Sequence, residues 1–409
     1  MNTADSDATQ EFTTAQVAAM LDLPLSRLRF WVRSGLVRPV REVNHTYLFS
    51  IDGVERLRYV AERRRAGAPI EQVRRELAAW SWNRPQPHPW PGPVDQPPAG
   101  EQVTGGAQPD GVETGRTRTP RFVVLANQKG GVGKTTSAIN LGAALAELGH
   151  RTLIIDWDPQ ANASQALGLT HRELEQGPSV FDCVAGERER EREGERERLG
   201  LPVELPQVIR PTALRGLELA PANIQLSGLE LELAHRLGRE FTLRTICRRT
   251  ALPYEVVIID TPPTLGLITV NALVAGEVVV IPVQAEYLSL EGVRQLVHTI
   301  TIVRDRLNPD LRIGAVLITM YDASTTPDPL AASIRRRIES VFGGRVLTEV
   351  IPRSPQVVAA QMQGVPLALF DPAGAATLAY RRIAEKLAKQ LGLEVKGHAA
   401  SAPREAPTR

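Results

Sequence analysis

The feature that most constrains the fold is a glycine-rich octet, 129–136, which lies between an apolar run and a helix-forming run. The apolar run 122–126 predicts a buried strand, and the run 138–145 predicts a helix that begins just after the octet. A strand, a glycine-rich turn and a helix N-terminus in this order present free backbone N–H groups at the positive end of a helix dipole. The octet is therefore expected to bind phosphate, through Gly130, Gly131, Val132, Gly133, Lys134, Thr135 and Thr136.

The octet departs from the common phosphate-loop pattern Gly-x4-Gly-Lys-Ser/Thr at the first position. That position falls on Gln128, and Lys129 follows it. The chain has only five lysines among its 48 basic residues, so Lys129 and Lys134 are an unusual pair within one turn. Lys134 is expected to reach the β- and γ-phosphates, and the hydroxyl of Thr135 is expected to bind Mg²⁺.

Two later strand patterns end in carboxylates. The run 151–156 ends in Asp156 and is followed by Asp158, whereas the run 255–259 leads into Asp260. Because ligands bind at the carboxyl ends of strands in open parallel sheets, Asp260 is expected to contribute to the Mg²⁺ site. Asp158 is a candidate for orienting or activating an attacking water, but Asp156 competes for that role, and the sequence alone does not separate them.

The C-terminal region alternates strand and helix patterns, which predicts an α/β fold with a mainly parallel, doubly wound sheet that carries the phosphate-loop octet. Further strands are expected at 277–283, 312–320 and 345–351. Further helices are expected at 226–237, 290–307, 328–342 and 373–391. The Glu/Arg run 187–198 is interpreted as a solvated insertion of mixed charge.

Residues 12–80 have a different character, with twelve arginines against seven acidic residues. A short helix over 15–21, capped by Thr13 or Thr14, is followed by a second helix from about Ser26 to Ser34, which Gly35 ends. A short wing is expected over 36–50, and amphipathic helices are expected over 51–66 and 70–79. This order indicates a small winged helix-turn-helix domain whose second helix is rich in arginine.

The segments 12–18, 28–31, 34–37 and 52–57 resemble the DNA-binding domain of the MerR family. The resemblance implies that residues 25–34 enter the major groove and that the wing 38–47 touches backbone phosphates. The wing lacks the Gly-x-Arg that is common before the tyrosine in that family. The DNA-contacting residues that the resemblance implies are Arg27, Arg29, Arg33 and Tyr47.

The length of 409 residues suggests two or three domains. We expect a disordered N-terminus (1–11), the helix-turn-helix domain (12–80), a Pro/Gly-rich linker (81–120), an ATPase domain (121–392) and a disordered tail (393–409). The two cysteines match no metal or disulfide spacing, and the sequence has neither a signal-peptide pattern nor an apolar run of about 18 residues. We therefore expect a cytoplasmic protein without a membrane segment.

Five segments together resemble the ParA/MinD family of deviant phosphate-loop ATPases, in particular its ParA/Soj partition branch. They are the octet 129–136 and the segments 156–162, 220–223, 259–263 and 351–354. The resemblance implies that ATP and Mg²⁺ are the cofactors. It also implies that Lys129 reaches the nucleotide of a partner subunit in an ATP-bound homodimer and that Asp158 is the hydrolytic carboxylate.

The same resemblance implies that Pro352 and Ser354 border the adenine, with serine standing where asparagine is usual in the family. It implies a non-specific DNA surface and a ParB-like centromere-binding partner that stimulates hydrolysis. Gln356 stands where Soj-like members tend to have arginine. The basic residues that could form the surface are Arg335, Arg336, Arg337 and Arg353.

The leading hypothesis is thus a nucleoid-associated DNA-partition ATPase that uses its helix-turn-helix for autoregulation. The alternative is a transcription regulator in which ATP only sets the dimeric state. A membrane-cycling role would need a C-terminal amphipathic anchor, whereas the residues after Leu393 are small and polar. An iron–sulfur role would need cysteines near the dimer axis, and Cys183 and Cys247 lie in no such motif.

Overall fold

The computed structural model describes residues 12–82 and 119–394, apart from internal gaps. The gaps are 22, 44–45, 50, 66, 185–202, 230–232, 234–235, 250, 287 and 323–328. The chain divides into two compact units, Met1–Ala99 and Gly100–Arg409, which are taken in turn below. The predictions for 1–11, for 187–198, for most of the linker and for nearly all of the tail lie outside the described residues.

The N-terminal unit contains the predicted helix-turn-helix, wing and helix pair. Its elements are β1 (Phe12–Thr13), α1 (Thr14–Met20), α2 (Leu25–Arg33), β2 (Arg41–Val43), β3 (Thr46–Phe49), α3 (Ile51–Arg65) and α4 (Ile70–Trp82). The three strands form an antiparallel sheet in the order β1-β3-β2. The first strand was not predicted, and α4 extends through Trp82, past the predicted start of the linker.

Side-chain hydrogen bonds at the start of α1 assign different roles to the two candidate capping threonines. Thr13 caps the helix, because its hydroxyl accepts from Gln16 N at 3.3 Å while Gln16 Oε1 accepts from Thr13 N at 2.9 Å. Thr14 instead holds the wing, since its hydroxyl accepts from the backbone N–H of Tyr47 at 3.0 Å. The wing strand β3 is therefore tied to the first helix of the helix-turn-helix.

The C-terminal unit is an eight-stranded sheet with helices, in the strand order β11-β10-β9-β4-β8-β5-β7-β6. The strands are β4 (Arg121–Leu125), β5 (Thr152–Asp156), β6 (Arg210–Pro211), β7 (Leu217–Ala220), β8 (Val256–Asp260), β9 (Val278–Gln284), β10 (Arg312–Tyr321) and β11 (Val346–Pro352). All neighbouring strands are parallel except β6, which pairs antiparallel with β7 at one edge. The predicted mainly parallel sheet is confirmed.

The helices of this unit lie between the strands and after the last strand, β11. They are α5 (Lys134–Glu147), α6 (Asn162–Ala166), α7 (His171–Gln176), α8 (Leu205–Val208), α9 (Thr242–Arg249), α10 (Leu267–Ala275), α11 (Leu288–Arg306), α12 (Pro329–Phe342), α13 (Gln356–Met362), α14 (Leu367–Phe370) and α15 (Ala375–Gln390). The three long helices predicted after residue 289 are confirmed to within two residues at each end.

The described part of the helix predicted over 226–237 is 3₁₀ at its start and helical at Leu229, whose carbonyl accepts from Leu233 N at 2.9 Å. Residues Ile224–Gly228 form a 3₁₀ helix, and Gly238 has a left-handed backbone with φ of 68°. Asn223 explains the start of the 3₁₀ helix, because its side chain accepts from Gln225 N at 3.1 Å. Such a local side-chain bond to the backbone competes with regular α-helix formation.

A buried ion pair joins the phosphate-loop helix α5 to the C-terminal helix α15. Arg381 donates to Glu147 through two nitrogens, at 2.7 and 2.8 Å, and a third nitrogen donates to Pro372 O at 2.6 Å. The Glu147 side chain is 3% exposed and that of Arg381 is 18% exposed. Because a buried carboxylate that loses its partner keeps its desolvation cost, this contact should be expensive to break from one side.

We expect Arg381→Ala to lower the free energy of unfolding of the C-terminal unit by about 3 kcal/mol, the scale for removal of one partner of a buried pair. Urea denaturation followed by circular dichroism measures the change. Arg382→Ala is the matched control, because Arg382 is exposed on the same helix, and it should shift stability by less than about 0.5 kcal/mol. Equal effects of the two substitutions would contradict a specific role for the pair.

Candidate nucleotide site

The octet joins β4 to α5 in a loop that the neighbouring strand ends hold in place. Gly131 and Gly133 have φ of 73° and 85°, a left-handed conformation that glycine adopts without steric cost. Thr319, near the end of β10, donates to Val132 O at 2.8 Å. Gln284, at the end of β9, donates to Gly131 O at 3.2 Å. The loop is thus fixed from two strands before any phosphate binds.

Lys134 begins α5 and is buried, with 7% of its surface exposed. Its ammonium donates to the backbone carbonyl of Lys129 at 3.2 Å. Burial lowers the pKa of Lys134, whereas the nearby Asp260 and Asp158 act to raise it. An ammonium has three donors, so this group retains hydrogen-bonding capacity for phosphate oxygens.

Asp260 is fully buried at the end of β8. Neither of its carboxylate oxygens has a hydrogen-bond partner among the described residues. Burial raises the pKa of Asp260 well above its usual range and the neighbouring Asp156 raises it further, while Thr135 and Lys134 act in the opposite direction. A buried carboxylate without partners is costly unless a cation compensates it.

The donor set at this edge fits Mg²⁺. A carboxylate from Asp260 and a hydroxyl from Thr135 are the hard oxygen ligands that Mg²⁺ prefers, and the interaction between the two side chains indicates that they lie close together. No cluster of three or more His, Cys, Asp or Glu side chains suited to a metal occurs in the described part of the chain.

The two aspartates that follow β5 differ in what occupies their oxygens. Asp156 accepts from both the backbone N and the hydroxyl of Ser164, at 2.8 and 2.7 Å, and from the backbone N of Asp158 at 3.2 Å. Burial raises the pKa of Asp156 to about 6. Asp158 accepts from Gln160 N at 3.0 Å, and burial raises its pKa as well. The geometry therefore favours a structural role for Asp156 and leaves Asp158 the freer carboxylate.

Lys129 has partners that the sequence analysis did not identify. Its ammonium donates to Glu286 Oε2 at 2.6 Å and to Gln284 Oε1 at 3.3 Å. Both acceptors lie at or just after the end of β9, the same edge of the sheet as the strand-end carboxylates. One indication of these two acceptors was present in the sequence, namely their position at or just after the end of an apolar strand. No sequence spacing links either of them to the octet.

A buried tryptophan connects the segment after β5 to the segment after β8. The indole of Trp157 donates to Ile268 O at 2.9 Å, and its backbone N donates to Asp260 O at 3.0 Å. Trp157 lies between the two aspartates of its segment, so it links the candidate water-positioning carboxylate to the strand that bears the candidate metal ligand.

The segment that follows β11 also reaches the octet. Pro352 and Ser354, the residues expected at the adenine, are half-buried at the end of this strand. The following helix α13 contacts the start of α5, because Gln361 Nε2 donates to Thr136 Oγ1 at 3.3 Å. The sequence analysis missed Gln361.

The arginines expected to contact DNA lie at the surface of their respective units. On the C-terminal unit, Arg335 pairs with Glu339 at 2.8 Å and lies 6.0 Å from the ring centre of Tyr321. The exposed members of this group are Arg336, Arg337 and Arg353. On the N-terminal unit, the exposed arginines of α2 are Arg27, Arg29 and Arg33, whereas Tyr47 is half-buried.

Comparisons with known proteins agree with both units. Residues 120–313 match the family model described as an AAA domain, and residues 12–80 match that of the MerR HTH family regulatory protein. The sporulation initiation inhibitor protein Soj of Bacillus subtilis is 38% identical over 268 residues, which cover 66% of this chain and 98% of that protein. The chain belongs to the Soj/ParA family.

Two further proteins are similar to the chain. The chromosome partitioning protein ParA of Caulobacter vibrioides is 40% identical over 269 residues, covering 65% of this chain and 93% of that protein. The crystal structure of cobyrinic acid a,c-diamide synthase from Mycobacterium smegmatis, with a bound ATP analogue and magnesium, has a TM-score of 0.55 at 33% identity and covers 67% of this chain and 96% of that one. As a member of the Soj/ParA family, the chain is an ATPase, and its relatives support a role in partition.

Among the described residues, no helix is both long and apolar enough to cross a membrane.

The backbone at Ala161 provides a test of strain in the segment that carries Asp158. Ala161 has φ of 52°, a left-handed conformation that costs a residue with a Cβ about 1–2 kcal/mol. We therefore expect Ala161→Gly to raise the free energy of unfolding by about 1 kcal/mol, measured by urea denaturation. Ala163→Gly, in the adjacent helix α6, is the control and should lower it by a similar amount. A destabilising effect of Ala161→Gly would show that burial of the Ala161 methyl group, at 4% exposure, outweighs the backbone strain.

Proposed function

We propose that this protein binds and hydrolyses ATP with Mg²⁺ to segregate DNA, dimerising on ATP and binding DNA through the dimer. The observation that carries the proposal is the grouping of Lys134, Asp158 and Asp260 at one edge of the sheet, beside the octet. Homology to the Soj and ParA partition proteins supports the biological role.

The octet supplies the phosphate site. Its backbone N–H groups and the ammonium of Lys134 would hold the β- and γ-phosphates, while Thr135 and Asp260 would hold Mg²⁺. The ion, when bound, would neutralise charge on the phosphates. Pro352 and Ser354 would border the adenine. Because Gln361 contacts Thr136, the segment after β11 is suited to connect the base end of the nucleotide to its phosphate end.

Asp158 is our candidate for orienting the attacking water. Its buried position places a carboxylate within electrostatic reach of Lys134, and one backbone N–H leaves most of its accepting capacity free. Asp156 is a weaker candidate, because three hydrogen bonds already engage its oxygens.

Lys129 would contact the nucleotide of a partner subunit in the ATP-bound dimer. To do so, its ammonium would have to break its hydrogen bonds to Glu286 and Gln284. These contacts within one subunit would therefore compete with dimerisation. The exposed arginines Arg336, Arg337 and Arg353 would contribute to a non-specific DNA surface on each subunit. Dimerisation would double the number of phosphate contacts and so raise affinity.

The helix-turn-helix unit would bind a specific operator, and autoregulation is its proposed use. A ParB-like DNA-binding protein is the proposed partner that stimulates hydrolysis. The proposed location is the cytoplasm, on the nucleoid. A transcription regulator without a segregation role is the alternative, and it is favoured if DNA and the partner fail to raise ATP hydrolysis above that of Asp158→Ala.

Lys129→Ala tests the dimer. We expect the variant to bind a fluorescent ATP analogue with an affinity within about threefold of the wild type, since Lys129 would bind the partner's nucleotide. We expect it to remain monomeric with ATP in an Asp158→Ala background that traps the ATP state, as measured by light scattering after gel filtration. Lys389→Ala is the matched control, since Lys389 is exposed, and it should dimerise normally. Equal loss of binding and dimerisation would mean that Lys129 is only a local phosphate ligand.

Arg353→Ala tests the non-specific surface. Each phosphate contact contributes about 0.9 to the slope of log affinity against log salt, so loss of one contact per subunit should reduce the slope by about 2 for the dimer. Fluorescence anisotropy with a random duplex over a range of salt concentrations measures this slope. Arg172→Ala, an exposed arginine on α7, is the control and should leave the slope unchanged. An unchanged slope for Arg353→Ala would remove this residue from the surface.

A further inference from the structure

The recognition helix α2 has a clear division between its two faces. Leu28 and Trp31 are buried in the N-terminal unit, while Arg29, Phe30 and Arg33 are exposed. At 100° per residue, these three exposed side chains lie on the half of the helix opposite Leu28. The outer face of α2, meaning Arg29, Phe30 and Arg33, therefore combines two cations with an aromatic ring.

Phe30 is exceptional among the phenylalanines of this protein. All eight lie within the described residues, and only Phe30 is exposed, with 54% of its surface accessible. Isolated apolar side chains on a surface are common, so exposure alone carries no function. What distinguishes Phe30 is its position between Arg29 and Arg33, which make no ion pair with any described residue. In addition, no guanidinium in the described part of the chain covers the ring of Phe30.

The chemistry of the outer face matches one kind of surface. In the major groove of DNA, guanine presents acceptors to arginine, and thymine presents a 5-methyl group, the apolar feature of the groove edge. A phenyl ring has no hydrogen-bonding group, so it cannot read a polar base edge or hold a phosphate. Its favourable contact in such a groove is with a methyl group.

We propose that Phe30 recognises a thymine of the operator by packing its ring against the 5-methyl group. The inference rests on the proposed function of the N-terminal unit as a sequence-specific DNA-binding domain. It assigns sequence discrimination to an apolar side chain, in addition to the arginines that the sequence analysis named. Phe30 is thus a specificity-determining residue, and its ligand is a thymine-containing duplex.

The test uses duplexes that the full-length protein selects from a randomised pool. Each thymine of a selected duplex is replaced in turn by deoxyuridine, which lacks only the methyl group. At one position per half-site, the wild-type protein should bind about fourfold more weakly, the factor expected for losing the burial of one carbon. Phe30→Ala should bind the thymine and deoxyuridine duplexes equally at that position.

Glu71→Ala is the control. Glu71 is exposed on α4, outside both α2 and the wing, so the variant should keep the wild-type sensitivity to deoxyuridine. Circular dichroism of each variant establishes that the fold is retained, as expected for exposed side chains.

The possible outcomes separate this inference from the function on which it rests. If the wild-type protein selects no duplex over random DNA, the domain is not a sequence-specific reader, and both proposals fail. If it selects duplexes but no thymine is sensitive to deoxyuridine, or if Phe30→Ala keeps the same sensitive thymine, the assignment of Phe30 is overturned while specific DNA binding stands.

Discussion

Burial of charge at the carboxyl edge of the parallel sheet is the constraint on which the C-terminal unit depends. Lys134 and the three carboxyl groups of Asp156, Asp158 and Asp260 are all buried there, so acidic side chains outnumber the basic one. Hydrogen bonds from Ser164 compensate Asp156, whereas Asp260 has no such partner among the described residues. Since uncompensated buried charge destabilises a fold, this edge is built for a bound cation and a phosphate ligand rather than for stability alone.

The same edge explains how distant parts of the chain come to act together. Parallel strands bring their carboxyl ends to one side, so the octet after β4, the aspartates after β5 and β8, and Glu286 after β9 become neighbours although they are far apart in sequence. Trp157 then joins two of these segments by direct hydrogen bonds. A shift of the strand that bears the candidate metal ligand would therefore also move the segment that contains Asp158.

Local patterns were sufficient to predict the alternating strands and helices, the phosphate-binding octet and the strand-end position of Asp260. They were insufficient where a tertiary contact decides the outcome. Ser164, eight residues after Asp156, separates the roles of the two aspartates, and Glu286 pairs with a lysine 157 residues away. The 3₁₀ helix at 224–228 has a local cause, a side-chain bond from Asn223 that a hydrophobic pattern does not reveal. Gln361 was missed because only the fold brings it to Thr136.

The two units place different demands on their binding residues. In α2 the side chains that fold the helix, Leu28 and Trp31, are separate from those on its outer face, so substitutions on the outer face should have little effect on stability. The nucleotide site has no such separation, because Lys134 and Asp260 are buried within the sheet layers that they serve. Substitutions there change the internal charge balance as well as ligand binding. If the proposed roles hold, the DNA sequence that α2 prefers could vary more freely than the nucleotide chemistry of the C-terminal unit.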